Sequence, residues 1–109
     1  MTDKLFYDLW ADALTASDRA AYVSDWTLST AWGKPEDADI PTDRIEQIGR
    51  IWDAAHMTAR DMVYTAGPSQ SAFATRYCIP RRTVEDWCRG LRTPPDYVRL
   101  LLARDLGLL

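Results

Sequence analysis

Arg81 and Arg82 stand side by side, and Thr83, Asp86, Arg89 and Arg92 follow within eleven residues. A guanidinium is planar, permanently charged and forked. It can give two parallel hydrogen bonds to a guanine edge or to a phosphate, which a lysine ammonium cannot. Arg81 and Arg82 are therefore the candidate base readers, and Arg89 and Arg92 are candidates for the flanking phosphates. Thr83 can meet a phosphate or a thymine methyl. Asp86 can accept from a cytosine amino group, or brace Arg82 four residues earlier. Ser69 and Gln70, at the head of the preceding segment, complete the set. A helix that begins there offers free N–H groups to an anion. This chemistry is recognition of nucleic acid, and it needs a scaffold that holds these side chains outward.

The stretch Gln70–Trp87, QSAFATRYCIPRRTVEDW, supplies such a scaffold as two short helices and a tight turn. Phe73 and Tyr77 are four apart and share a helix face. Ala74 is small where two steeply crossing helices come closest. Ile79 is an apolar plug in the turn, and Pro80 suits the start of a helix, where its missing N–H costs nothing. Val84 and Trp87 bury the second helix against the first, and Gly90 ends it in a left-handed cap. Arg81, Arg82, Thr83, Asp86 and Arg89 are then expected to face outward.

Ser69–Leu102, SQSAFATRYCIPRRTVEDWCRGLRTPPDYVRLLL, resembles the lambda-repressor-like (Cro-type) helix-turn-helix family. The likeness rests on Gln70, Ala74, Ile79, Val84 and Trp87. It covers about a third of the chain, and about half if the helix beginning near Thr58 is included. The resemblance implies helices two to four of a DNA-binding bundle, with the segment Pro80–Arg89 entering the major groove. It also implies inverted-repeat recognition by a homodimer. Cys78 departs from the family pattern, which has glycine at that turn position; a left-handed conformation there costs a non-glycine residue about 1 kcal/mol.

The net charge of −3 looks unsuitable for a nucleic-acid binder until the chain is divided. Residues 1–57 carry five basic and eleven acidic side chains, whereas residues 58–109 carry eight arginines against five acids. The −6 and +3 halves separate cleanly, and the positive half holds the motif. The field at the contact surface matters more than the total. No run of 18 apolar residues and no basic-apolar leader appear, so the expectation is a cytoplasmic protein with no membrane partner. Two cysteines, Cys78 and Cys88, and one histidine, His56, are too few for a zinc site. Neither a nucleophile–base set nor a phosphate-cradling loop is present, so an enzyme, a metal and a cofactor are not expected.

The rest of the chain reads as wholly helical, six to seven helices in a compact all-α bundle. Leu5, Phe6, Leu9, Trp10 and Ala13 make an apolar stripe over Lys4–Ala13. Ser17 is the expected N-cap of a second helix reaching about Thr30, with Ala20, Val23, Trp26 and Tyr22 inward. Gly33–Pro41 is a breaker-rich acidic linker. Asp43 and Glu46 suggest a capping box, opening a helix with Ile45, Ile48, Trp52 and Ala55 on one face. Thr58 and Asp61 repeat the signal for a short helix that stops at Gly67-Pro68. A last helix follows Thr93-Pro94-Pro95 and ends at Gly107, with Tyr97, Val98, Leu101, Leu102 and Leu106 inward. Residues 1–41 are thus expected to be a helical extension, and 42–109 the helix-turn-helix domain.

Two functions fit this organisation. The first is a sequence-specific double-stranded DNA-binding transcriptional regulator, a repressor of bacterial or phage type. The second is a protein–protein adaptor, such as an antitoxin or inhibitor, that meets its partner through the aromatic helices of residues 1–41.

Overall fold

A computed structural model describes residues 1–33, 41–67 and 69–109. The acidic linker therefore lies almost wholly outside the described residues, as does Pro68. Among those described, seven α-helices and one short 3-10 turn account for the regular structure, and no strand is present. The fold class is all-α. Among the described residues, no helix is long and apolar enough to cross a membrane. Two compact units divide the chain, Met1–His56 and Met57–Leu108. The helix 42–56 thus groups with the two helices before it, and not with the helix-turn-helix segment as the expected division at residue 42 requires.

The first unit contains α1 (Asp3–Thr15), α2 (Arg19–Thr27), the 3-10 turn Thr30–Trp32 and α3 (Thr42–His56). Its core is Leu9, Trp10, Ala13, Tyr22, Ile48, Ile51, Ala54 and Ala55, and α3 packs on both α1 and α2. The N-cap of α2 is Asp18, one residue later than the expected Ser17, because the Asp18 carboxylate accepts from the Ala21 N–H at 3.1 Å. That helix also stops at Thr27, and Ala20 is exposed while Tyr22 is the buried aromatic. The helix α3 opens at Thr42, with Asp43 inside its first turn. Its inner face runs through Ile48, Ile51 and Ala55; Ile45, expected inward, is 42% exposed.

Polar side chains of α3 finish what α1 leaves open. The last carbonyls of a helix lack intrahelical donors. The Trp52 Nε1–H donates to the Ala16 carbonyl at 2.8 Å, and His56 Nε2 donates to that of Ala13 at 2.7 Å. The two rings stack at 3.9 Å, so each holds the other in place. The Tyr22 hydroxyl donates to the Leu9 carbonyl at 2.6 Å, and burial pushes its pKa up. Arg19 grips Asp53 through two bonds of 2.8 and 3.1 Å. Its guanidinium lies across Gly49, where a Cβ would stand 2.5 Å from Nη2, so glycine is what lets the fork lie flat on α3.

The tryptophans of residues 1–41 are bonded within this unit. Trp10 is buried. Trp26 Nε1–H donates to Asp12 at 2.8 Å, and Trp32 Nε1–H to the Trp26 carbonyl at 2.8 Å, with Arg44 over the Trp32 ring.

The second unit contains α4 (Ala59–Ala66), α5 (Gln70–Tyr77), α6 (Arg81–Arg89) and α7 (Asp96–Asp105). Its core is Met62, Val63, Phe73, Ala74, Val84, Trp87, Leu102 and Ala103. Thr58 caps α4 as its spacing to Asp61 predicts, accepting the Asp61 N–H at 3.1 Å. The face of α7 differs from expectation. Tyr97 is 68% exposed and Leu101 is exposed too, while Arg99 is buried with Leu102 and Ala103. The guanidinium of Arg99 donates to the Met57 carbonyl, which draws that face of the helix inward. Packing of α7 is against α4.

Candidate nucleic-acid interface

Ser69 caps α5, its Oγ accepting the Ala72 N–H at 3.0 Å. Gln70 is the first residue of that helix, and its amide donates to the Tyr64 hydroxyl at 3.3 Å. Tyr64 in turn lies under the Arg60 guanidinium, 5.8 Å from the ring centroid. Gln70 is therefore anchored to α4, the neighbouring helix that a residue at the head of α5 is placed to approach.

The turn after α5 is tight for an identifiable reason. Cys78 is left-handed, at φ 54° and ψ 38°. The next N–H, from Ile79, reaches back to the Ala74 carbonyl at 3.0 Å. Leu91 bonds to the Asp86 carbonyl at 2.9 Å past Gly90, and Leu108 to that of Ala103 past Gly107, both glycines having positive φ. All three are Schellman ends, and only α5 makes its end without glycine. Moving Cys78 to glycine should remove about 1–2 kcal/mol of left-handed strain, against about 0.4–1 kcal/mol of added chain entropy in the unfolded state. Cys78→Gly is therefore expected to raise the thermal midpoint by about 2–4 °C. Calorimetry on both proteins measures it, and an unchanged or lower midpoint contradicts the strain.

Beyond this turn, Pro80 precedes the first residue of α6 and its carbonyl accepts from Thr83 and Val84. Val84 and Trp87 are buried and draw one face of α6 into the core. Arg81, Arg82 and Arg89 are exposed on the remainder, and Thr83 is half-buried. Arg81 pairs with Glu85 at 3.2 Å. Glu85 was not among the sequence candidates, although its i, i+4 position signals such a pair. Surface pairs of this kind are worth little on their own, so they constrain the arginines without consuming them.

Asp86 is the correction in this region. Expected outward, it is 8% exposed. Its carboxylate stands 3.9 Å from Arg82 Nε on one side and 3.6 Å from Arg92 Nε on the other. Those arginine side chains are 86% and 70% exposed. The main-chain carbonyl of Asp86 also receives the N–H groups of Leu91 and Arg92 as the chain leaves the helix. Helical periodicity carries Asp86 toward the Trp87 side, and the return of the chain past Gly90 covers it. A cytosine acceptor needs a projecting carboxylate; this one sits behind two guanidinium groups.

A second cluster was missed altogether. Arg76 and the Tyr77 hydroxyl both donate to Asp105, at 3.0 and 2.6 Å, and so clasp the end of α5 to the end of α7. Burial, reinforced by that bond, pushes the Tyr77 pKa up to about 12, and the Tyr77 hydrogen bond holds Asp105 below the usual carboxylate range. The partners are almost thirty residues apart, and no local spacing announces them. The two cysteines are free, and burial pushes the Cys88 thiol up.

Comparison with known proteins finds no matching family model, no matching curated protein and no matching solved structure.

Proposed function

We propose that the second unit is a helix-turn-helix of the lambda-repressor-like kind, and that the protein is a sequence-specific double-stranded DNA-binding regulator of transcription. The observation that carries this reading is the division of α6. Val84 and Trp87 are buried, and Arg81 and Arg82 stand exposed in the first turn of the same helix. Two further facts support it. The turn Cys78–Pro80 fixes α6 relative to α5 by a left-handed residue and a proline. Residues 58–109, which hold this helix, carry eight arginines against five acids, whereas residues 1–57 carry five basic against eleven acidic side chains.

In this reading α6 lies in the major groove with its N-terminus nearest the bases. Arg82 reads a base, Arg81 reads a base or a phosphate, and Arg89, Arg92, Thr83 and the Ser69–Gln70 helix start bind the flanking backbone. The test is selection of binding sites from random duplex DNA with wild type, Arg82→Ala and Arg92→Ala. The wild type should return a defined motif. Arg82→Ala should lose preference at one base position, a discrimination of about 1–3 kcal/mol. Arg92→Ala should keep the motif and bind every sequence more weakly. Recovery of one motif with equal information content by all three proteins would refute these roles.

A further inference from the structure

We propose that Asp86 is a positioning residue that sets the balance between specific and non-specific DNA binding. The inference rests on the DNA-binding reading above and assigns Asp86 a role other than base contact. The carboxylate is nearly buried, while the two guanidinium groups beside it are almost fully exposed. One comes from the first turn of α6 and the other from beyond its C-terminal cap, so a single fixed charge lies between the two ends of the arginine surface. Neither contact is a short, saturating hydrogen bond. At 3.9 and 3.6 Å each arginine is attracted and aimed, and each keeps its donors free for an external acceptor.

Two effects follow from one negative charge in that place. It restricts the directions in which Arg82 can point, so that less side-chain freedom is lost when Arg82 meets its base. It also offsets part of the positive field that attracts any phosphate, whatever the sequence. The first acts only at the preferred site and raises the ratio of specific to non-specific affinity on which a regulator depends. The second weakens every duplex alike and is read in the salt dependence.

Asp86→Asn removes the charge and keeps the shape. It should bind random-sequence duplex more tightly than wild type, and the slope of log affinity against log salt should steepen by about 0.9. The ratio of preferred-site to random-site affinity should fall about tenfold, within the range of one arginine–base contact. Asp86→Glu keeps the charge and shifts the carboxylate. It should leave the salt slope as in wild type and still lower the ratio, and it decides the question if the asparagine variant does not fold. A merely structural residue would change melting and leave both the ratio and the slope unaltered in whichever variant folds; that result overturns the proposal. A wild type that binds DNA with no sequence preference overturns the DNA-regulator reading itself, and is distinguished by being visible before any variant is made.

Discussion

The affinity of this protein for its preferred duplex should drop about a hundredfold when monovalent salt rises from 50 to 200 mM. Arg81, Arg82, Arg89 and Arg92 belong to the surface assigned to DNA, and Arg81, Arg82 and Arg89 are exposed on α6 itself. If all four enter the phosphate field and Asp86 offsets up to one of them, three to four condensed counterions are displaced, and log affinity falls with a slope of about −2.7 to −3.6 against log salt. The fourfold change in salt then gives the quoted loss. Fluorescence anisotropy of a labelled duplex, titrated at four or five salt concentrations, measures the slope directly. The adaptor reading expects something else, because apolar contacts to a protein partner respond little to salt. A slope near zero, or no measurable binding at 50 mM, would remove DNA from the account. Net charge does not undercut the expectation: screening confines the reach of exposed charges to about 10 Å at these concentrations, so the charge local to α6 governs the contact.

Val84→Asp should abolish the cooperative unfolding of the second unit. Val84 has no exposed surface, and α6 packs against both α4 and α5. Among the described residues of that unit the one buried cation is Arg99, and its guanidinium is already bonded to the Met57 carbonyl. An unpaired buried charge costs several kcal/mol, and small domains have only about 5–15 kcal/mol to lose. The unit spans only Met57–Leu108, and at about 0.05–0.15 kcal/mol per residue a unit of that size has on the order of 3–8 kcal/mol. Far-ultraviolet circular dichroism should show a loss of helix at room temperature. Val84→Thr, nearly the same shape and neutral, should lower the midpoint and keep the transition. A cooperative melt of the aspartate variant close to wild type would mean that Val84 is not in the core.

Much of the second unit was legible because its signals are local. Ser69 and Thr58 cap helices at the spacing that their hydroxyls require. Gly90 and Gly107 take the left-handed conformation that ends a helix, and Cys78 takes it at the turn. Phe73, Ala74, Val84 and Trp87 were assigned to one packed interface, and all four are buried. Each of these follows from geometry within one or two helical turns.

What was not legible depends on partners far along the chain. In α7, apolar residues occur at 97, 98, 100, 101 and 102, which is nearly all round the helix, so periodicity names no face. The choice falls to Arg99 and its bond to a carbonyl forty-two residues away. In α3, Ile45 and Ile51 are equally apolar, and only packing against α1 and α2 buries one and exposes the other. Trp52 was placed by spacing on the inner face with Ile48 and Ala55; it is half-buried, and its indole N–H completes the end of α1. Asp86 was misplaced for a similar reason. Charge argues for the surface, and the returning chain after Gly90 argues otherwise. The candidate site was legible as a list of residues, and its internal wiring was not.

The distribution of indole rings has a practical corollary. Trp10, Trp26, Trp32 and Trp52 belong to the acidic unit, and Trp87 alone reports from the arginine-bearing one. The indoles that give intrinsic emission thus stand four to one in the half that is not assigned to DNA. A melting curve followed by emission would report mainly the unfolding of the first unit, with Trp87 the single indole that follows α6.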